Sequence, residues 1–422
     1  MGRGLGSRPI KRLLEIEVFF ANRVPPEARD AYSKDAMSGI LGAVMGGMVF
    51  PFVAVIARKN LHASALEIGL LTMAPVAGNL LSLFWANTMQ GRRKMPYAVW
   101  PWIVARSLFF LVIFATCSQV FVGLVVLFWL ICSIASPAYS DLMKEIYPDG
   151  DRAKIMGYAR VCMAVSGIIL TLVAGTLLNY VSYRHVFPAA AVFGVVSALV
   201  FKGIRAKQAT GEPGVRLHHF VADSAKLLVD DKGFVWFCAG IFVFGFGNFL
   251  ASPIYTLYEV DVLGVDTVRQ SVYTLVISAV AMISFFYWGS YLDRRRPEKV
   301  IALQAAVWGF VPLMYLFAAK WWMVLPAKAL IGFIGAGVEL SYFTGVLYFA
   351  PPERVSQYQA VFLTLMGLRG LIAPWVGAGL VEWNLLSMHA VFALSAGLIF
   401  ASVVVQMVGY RKYQALGRPM EQ

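Results

Sequence analysis

The stretch FFYWGSYLDRRRPEK, Phe285 to Lys299, sets three consecutive arginines directly against the end of a long apolar run. About 200 residues earlier SLFWANTMQGRRKMP, Ser82 to Pro96, follows the same order: apolar run, tryptophan, small residue, basic cluster. A basic cluster that stops an apolar run is how a membrane span ends on its cytoplasmic side. Its recurrence at equivalent places needs a second cause, an internal repeat.

Composition agrees with the first reading. Of 422 residues 59% are hydrophobic and only 14% charged, with a mean hydropathy of +0.70, far below the roughly 25% charged residues of an ordinary soluble domain. A net charge of +13 falls in short clusters between apolar runs and makes no continuous basic face, so nucleic acid is not an expected partner. The lipid bilayer is. Cys117, Cys132, Cys162 and Cys238 all lie in apolar segments without metal-ligand or disulfide spacing and read as small buried hydrophobes.

Runs of about 20 apolar residues cross a bilayer as helices. Twelve are expected, over 36–57, 66–88, 97–117, 121–142, 157–179, 186–204, 234–258, 270–292, 299–319, 321–347, 357–381 and 388–409. No signal peptide is expected: the first apolar cluster, IKRLLEIEVFF, is short and interrupted by Glu15 and Glu17. It suits a helix lying on the membrane surface. Placing the N-terminus inside puts 28 of the 36 lysines and arginines on the cytoplasmic side and only Arg58, Lys59, Arg184, Arg269 and Lys320 outside. Both termini are then cytoplasmic, in a bacterial-type inner membrane.

The repeat shows residue by residue. At an offset of 203, Trp85, Met89, Arg92 and Arg93 face Trp288, Leu292, Arg295 and Arg296, and Tyr139 and Pro148 face Tyr342 and Pro351. At 202 Pro51 faces Pro253, and at 200 Tyr158 and Gly167 face Tyr358 and Gly367. Sets that share one offset within three residues argue for two copies of a six-helix unit. The expected organisation is a cytoplasmic or interfacial segment 1–35, a bundle 36–204, a cytoplasmic linker 205–233, a second bundle 234–409 and a tail 410–422.

Over about residues 36–409 this pattern resembles the major facilitator superfamily of secondary transporters. The family's loop signature, G-x-x-x-D-R-x-G-R-R, is matched in the second copy by Gly289, Asp293 and Arg294, followed by Arg295 and Arg296. The first copy departs from it, with Ala86 for the glycine and Gln90 for the aspartate before Gly91, Arg92, Arg93 and Lys94. The resemblance implies an all-α membrane protein of twelve transmembrane helices in two pseudo-symmetric six-helix bundles. It also implies that these loops gate the cytoplasmic side, Gly289 allowing close helix approach and Asp293 pairing with arginines, with the stronger latch in the second half.

Function has to be read from charges inside the membrane, because fold does not fix substrate. Four stand there: Arg106, Lys328, Glu339 and Arg369. Arg106 is expected to snorkel to the cytoplasmic interface; Lys328, beside Trp321 and Trp322, either snorkels or binds. Glu339 and Arg369 lie about 14 Å and about 18 Å from the cytoplasmic ends of adjacent helices, close enough in depth to pair. The pair reads either as structural glue or as a substrate and proton site. Tyr139 and Tyr342 hold matched positions, Pro137 kinks helix four, Asn248 interrupts helix seven, and Asn79 with Pro75 interrupts helix two, which together suggest an amphipathic cavity.

No nucleotide loop, serine elbow or metal constellation is found, so neither an enzyme, a cofactor nor a bound metal is expected. Helix five lacks the glycine-proline element of drug/proton antiporters, so a cation exporter of that type is not the expectation, and the membrane charges sum to net positive. The expectation is an alternating-access secondary transporter, monomeric, with an anionic or neutral, amphipathic small-molecule substrate and protons as candidate coupling ion. The alternative is a non-transporting protein of the same fold that acts as an assembly factor or sensor for a membrane complex.

Overall fold

The computed structural model describes residues 20–89, 91–148, 151–205, 231–292, 297–351 and 354–415. The expected surface helix before residue 20, the central linker and the four charged residues Asp293 to Arg296 lie outside these, as does Gln90. Among the described residues there is no strand, as expected of a chain in a solvent that cannot satisfy exposed peptide groups.

Twelve principal helices form. They are α1 (Arg29–Leu61), α2 (Ala65–Thr88), α3 (Lys94–Phe114), α4 (Ser118–Ile146), α5 (Arg152–Tyr180), α6 (Tyr183–Lys202), α7 (Lys232–Asp261), α8 (Thr267–Leu292), α9 (Lys299–Leu316), α10 (Trp321–Phe349), α11 (Val355–Glu382) and α12 (Met388–Ala415). Eleven of them are long and apolar enough to cross a membrane; in α2 the apolar stretch is the shorter Ala65–Leu81. The helical segments of α1 end and resume around Phe50–Phe52, where Pro51 has no N–H to donate. The helices α2 and α7 run through Pro75 and Asn248, as the expected spans 66–88 and 234–258 do, the ring of Pro75 costing one backbone bond in an otherwise apolar segment.

The chain forms two compact units, Met1–Val53 with Leu81–Gly214, and Ala54–Leu80 with Val215–Gln422. Segment 54–80 packs with the second unit although it was expected in the first bundle. Its small-residue contacts explain this. A Cβ on Gly370 would meet Val76 at 2.6 Å, and one on Gly69 would meet Ala378 at 3.0 Å, so α2 and α11 approach closely.

Within the first unit α1 packs on α5 and α6, and α3 on α4 and α6; within the second α7 packs on α11 and α12, and α9 on α10 and α12. These four packings map onto one another by a shift of six helices, the structural form of the sequence repeat. The crossings are stitched by hydroxyls on glycine carbonyls: Thr171 Oγ1 donates to Gly47 O at 3.1 Å, and Ser395 Oγ to Gly247 O at 2.8 Å. Gly289 departs from expectation. A Cβ there would meet nothing within 4 Å among the described residues. The four cysteines are free; Cys162 and Cys238 are buried as expected, but Cys132 is only partly buried and Cys117 is exposed, since an apolar helix shows one side to lipid.

Candidate functional site

In the second unit, the middle of α11 carries Arg369, only 6% exposed. Its guanidinium occupies the space left by Gly245 on α7, where a Cβ would overlap it. Nη1 donates to the main-chain carbonyl of Ile241, one turn away on the same helix. The Tyr342 and Phe249 rings flank it, each centroid 5.8 Å from Cζ. Arg369 Nε is buried without a hydrogen-bond partner among the described residues, and the buried Tyr342 hydroxyl lies against the guanidinium. Arg369 is thus a buried cation without a carboxylate partner among them.

The expected pairing of Arg369 with Glu339 is not formed. Glu339 on α10 is exposed and has no hydrogen bond or ion pair among the described residues, while Arg369 turns to α7. Depth along the two helices matched, but depth does not fix azimuth. Asn248 is engaged in packing, accepting from the Trp308 indole N–H at 3.0 Å.

Lys328 does not snorkel. It is buried, with Nζ 2.6 Å from Glu259 Oε1, and the Tyr315 hydroxyl donates to the same oxygen. The Tyr273 ring lies under the ammonium, 4.8 Å to its centroid. A buried ammonium holds its charge where a carboxylate and aromatic faces replace water. Glu259 was missed because α7 runs to Asp261, past the last residue of its apolar run.

In the first unit, Arg106 likewise stays inside instead of reaching the interface. Nη1 donates to Gly194 O at 2.6 Å and to Ser197 Oγ at 3.1 Å, and the Trp102 ring lies 5.1 Å from Cζ. Ser197 Oγ in turn donates to Ser38 O at 2.6 Å, so one arginine ties α3 to α6 and α1. The polar acceptors on α6 make the inward rotamer better than snorkelling. Tyr139 faces Asp35 on α1, Oη to Oδ1 3.5 Å, and Tyr147 donates to Oδ2 at 2.8 Å. Burial and the Asp35 charge push the Tyr147 hydroxyl above its ordinary value, so it remains a donor.

Of the two loops expected to gate, Gly91 takes a positive φ of 71°, a conformation glycine adopts freely. Arg92 Nη1 donates to Tyr97 Oη at 2.8 Å, and Lys94 forms a 3.5 Å ion pair with Asp141. Arg93 is exposed. No group of three or more metal-ligating side chains exists among the described residues.

Repeated apolar helices, buried charges and two units built alike define a polytopic membrane protein of internally duplicated transporter architecture. The Major Facilitator Superfamily model matches residues 36–374, and the chain belongs to that family. Two relatives are each called multidrug resistance protein MdtG. The one from Proteus mirabilis is 27% identical over 179 residues, 41% of this chain and 43% of the relative. The one from Yersinia enterocolitica is 28% identical over 176 residues, 39% and 40% of the two chains. The matched region thus spans about two fifths of the curated relatives' length. Among solved structures, the nucleoside transporter NupG aligns with a TM-score of 0.72 at 12% identity, covering 90% of this chain and 99% of that one. A bacterial homologue of the human lysosomal transporter Spinster aligns with a TM-score of 0.59 at 15% identity, covering 92% and 96%. At these identities the likeness is one of fold.

Proposed function

We propose that the chain is a secondary transporter of the bacterial inner membrane, with both termini cytoplasmic, which moves amphipathic small molecules bearing an anionic group and is driven by protons. The observation that carries the reading is Arg369: a buried guanidinium in a space only Gly245 leaves free, with Nε without a hydrogen-bond partner among the described residues and the Tyr342 hydroxyl beside it. A buried cation without a counter-charge is costly, and an incoming carboxylate or phosphate relieves that cost while accepting from the guanidinium. The rings of Tyr342 and Phe249 supply the apolar wall for the body of the substrate. Glu339, exposed on α10 and without an ion pair among the described residues, contributes by accepting from a substrate hydroxyl. The multidrug name of the relatives suits an amphipathic class; it gives no preference for anions, which comes from Arg369.

Thermal unfolding of the purified chain with four probes tests this: an aromatic carboxylate, a nucleoside monophosphate, an uncharged nucleoside and a cationic dye. A ligand that binds only the folded state raises its stability by mass action. The anionic aromatic probes are expected to raise the melting temperature of wild type, less that of Arg369→Lys, which keeps the charge but loses the fork. They should leave Arg369→Gln unchanged. Stabilisation by the cationic dye alone, equal in all three proteins, overturns the anion assignment. Absence of any flux in proteoliposomes together with a stoichiometric co-purifying membrane complex favours the assembly-factor alternative.

A further inference from the structure

We propose that the end of α6 that carries Lys202 binds the headgroup of an anionic phospholipid, and that the matching end of α12 binds a second. Lys202, in the last turn of α6, is exposed. Its Nζ stands over the Trp100 ring of α3, 5.7 Å from the centroid. Three residues on, Arg205 is exposed as well, and neither cation has an ion pair among the described residues. Lys34 of α1 joins them: a Cβ on Gly203 would meet its Cδ at 3.8 Å, so its stem runs beside the end of α6. Asp30 pairs with Lys34 at 2.7 Å, which offsets one of the three charges and leaves Lys202 and Arg205 uncompensated.

The surface that leads to these cations is apolar, which a soluble anion would not need. On α6 the exposed Val192, Val196 and Leu199 are spaced by four and three residues and form one stripe that runs into Lys202. On α3 Trp100, 58% exposed, and Val104 stand four residues apart in a second stripe. The two helices pack on each other, and the Lys202 contact with Trp100 sets the stripes side by side at this end. Exposed aliphatic side chains alone are ordinary on a helix in lipid. A stripe that ends on cations without counter-charge matches an acyl chain and a phosphate joined in one molecule, with the indole at the level between them. A zwitterionic headgroup brings its own ammonium, which the cations repel, so the match is to a headgroup of net negative charge.

The second unit repeats the arrangement on the corresponding helix. Lys412, in the last turn of α12, lies over the Trp236 ring of α7, 4.9 Å from its centroid. Arg411 and Lys232 beside these residues in the chain are exposed, and the exposed Val404 and Val408 lead to Arg411 at steps of four and three. The acid next to Lys232, Asp231, is buried and already taken up, accepting from the Phe234 N–H and the Tyr358 hydroxyl. The two tryptophans are not repeat partners, since one stands on α3 and the other on α7. What the units share is a lysine held over an indole where their sixth helix ends, so the likeness is one of chemistry. Which leaflet supplies the lipid rests on the proposed topology; the sign of its headgroup does not.

Native mass spectrometry of the delipidated full chain counts what binds when dioleoyl phosphatidylglycerol, dioleoyl phosphatidylcholine or inorganic phosphate is added. One phosphatidylglycerol per unit is expected to bind ahead of further lipid, tighter than phosphatidylcholine by about fivefold for each uncompensated cation. Lys202→Gln with Arg205→Gln should lose one of these lipids, Lys412→Gln with Arg411→Gln the other, and Lys202→Arg neither. Arg369→Gln should keep both, because its guanidinium is buried elsewhere. Equal binding of the two lipids overturns the proposal, as does full phosphatidylglycerol binding with all four cations replaced. Competition by inorganic phosphate at the same concentration makes this a site for free phosphate and overturns the lipid assignment. If one pair of substitutions does not fold, the pair in the other unit decides. None of these readouts requires transport, so they stand or fall apart from the proposed function.

Discussion

Lys328 Nζ lies 2.6 Å from Glu259 Oε1, with side-chain exposures of 10% and 3%, and Tyr315 closes the other side of the same oxygen. This ion pair joins the last turn of α7 to the first turns of α10. Breaking such a pair from one side strands a buried charge, whereas replacing both charges by apolar groups often costs nothing.

The expected outcome is therefore non-additive. Glu259→Met and Lys328→Met should each destabilise the protein by about 3–5 kcal/mol, and the double variant should recover most of that loss. Thermal unfolding in detergent reads all three. If the single losses add in the double variant, the pair is not the unit the geometry describes.

A second pair acts differently because it is wetter. Arg58 grips Asp261 with three contacts of 2.7 to 3.0 Å, at side-chain exposures of 30% and 27%. Glu382 Oε2 accepts from the Ala65 N–H at 2.6 Å, at the first residue of α2. Ser64 and Glu67 exchange reciprocal bonds there as a capping box. Both carboxylates come from the ends of α7 and α11 and hold residues 54–80 to the second unit. Asp261→Asn and Glu382→Gln should each cost only about 1 kcal/mol or less in global stability. Hydrogen exchange should nevertheless rise locally at residues 58–68, and more in the double variant. Unchanged protection of that segment would show that the small-residue contacts alone hold it.

How much of this was legible in the sequence follows from what each signal encodes. Twelve helices could be counted because a bilayer demands apolar length, and length is linear in sequence. The repeat was legible because Trp85 and Trp288 survive in both copies. Azimuth was not legible: α10 and α11 are apolar around most of their circumference, so nothing in the pattern said that Arg369 faces α7 and Glu339 does not face Arg369. Arg106 was misread, and Lys328 left open, for a related reason. Snorkelling is the default for a lone cation, and the acceptors that overrule it, Gly194 O and Glu259 Oε1, sit 88 and 69 residues away. Asp35 looked like an edge residue because it precedes the apolar run; Tyr139 and Tyr147 bury it from 104 and 112 residues downstream.

The glycines of the second unit make the last prediction, because similar sequence contexts meet different neighbours. A Cβ on Gly335 in α10 would meet nothing within 4 Å, so Gly335→Ala should be neutral or raise stability by up to about 1 kcal/mol through helix propensity. At Gly377 the obstacle is the main-chain carbonyl of Leu250 on α7. A carbonyl cannot rotate away, so Gly377→Ala must push α11 off α7, and a loss of about 1–3 kcal/mol is expected. At Gly245 the obstacle is the Arg369 guanidinium, the end of a flexible side chain. Gly245→Ala should then cost less in melting temperature than Gly377→Ala, yet it should abolish stabilisation by the anionic probes, because the arginine is turned out of its seat between Tyr342 and Phe249. Comparing melting temperature with and without the aromatic carboxylate in the three variants separates packing from binding. Full probe binding in Gly245→Ala would show that the seat of Arg369 is irrelevant to the ligand.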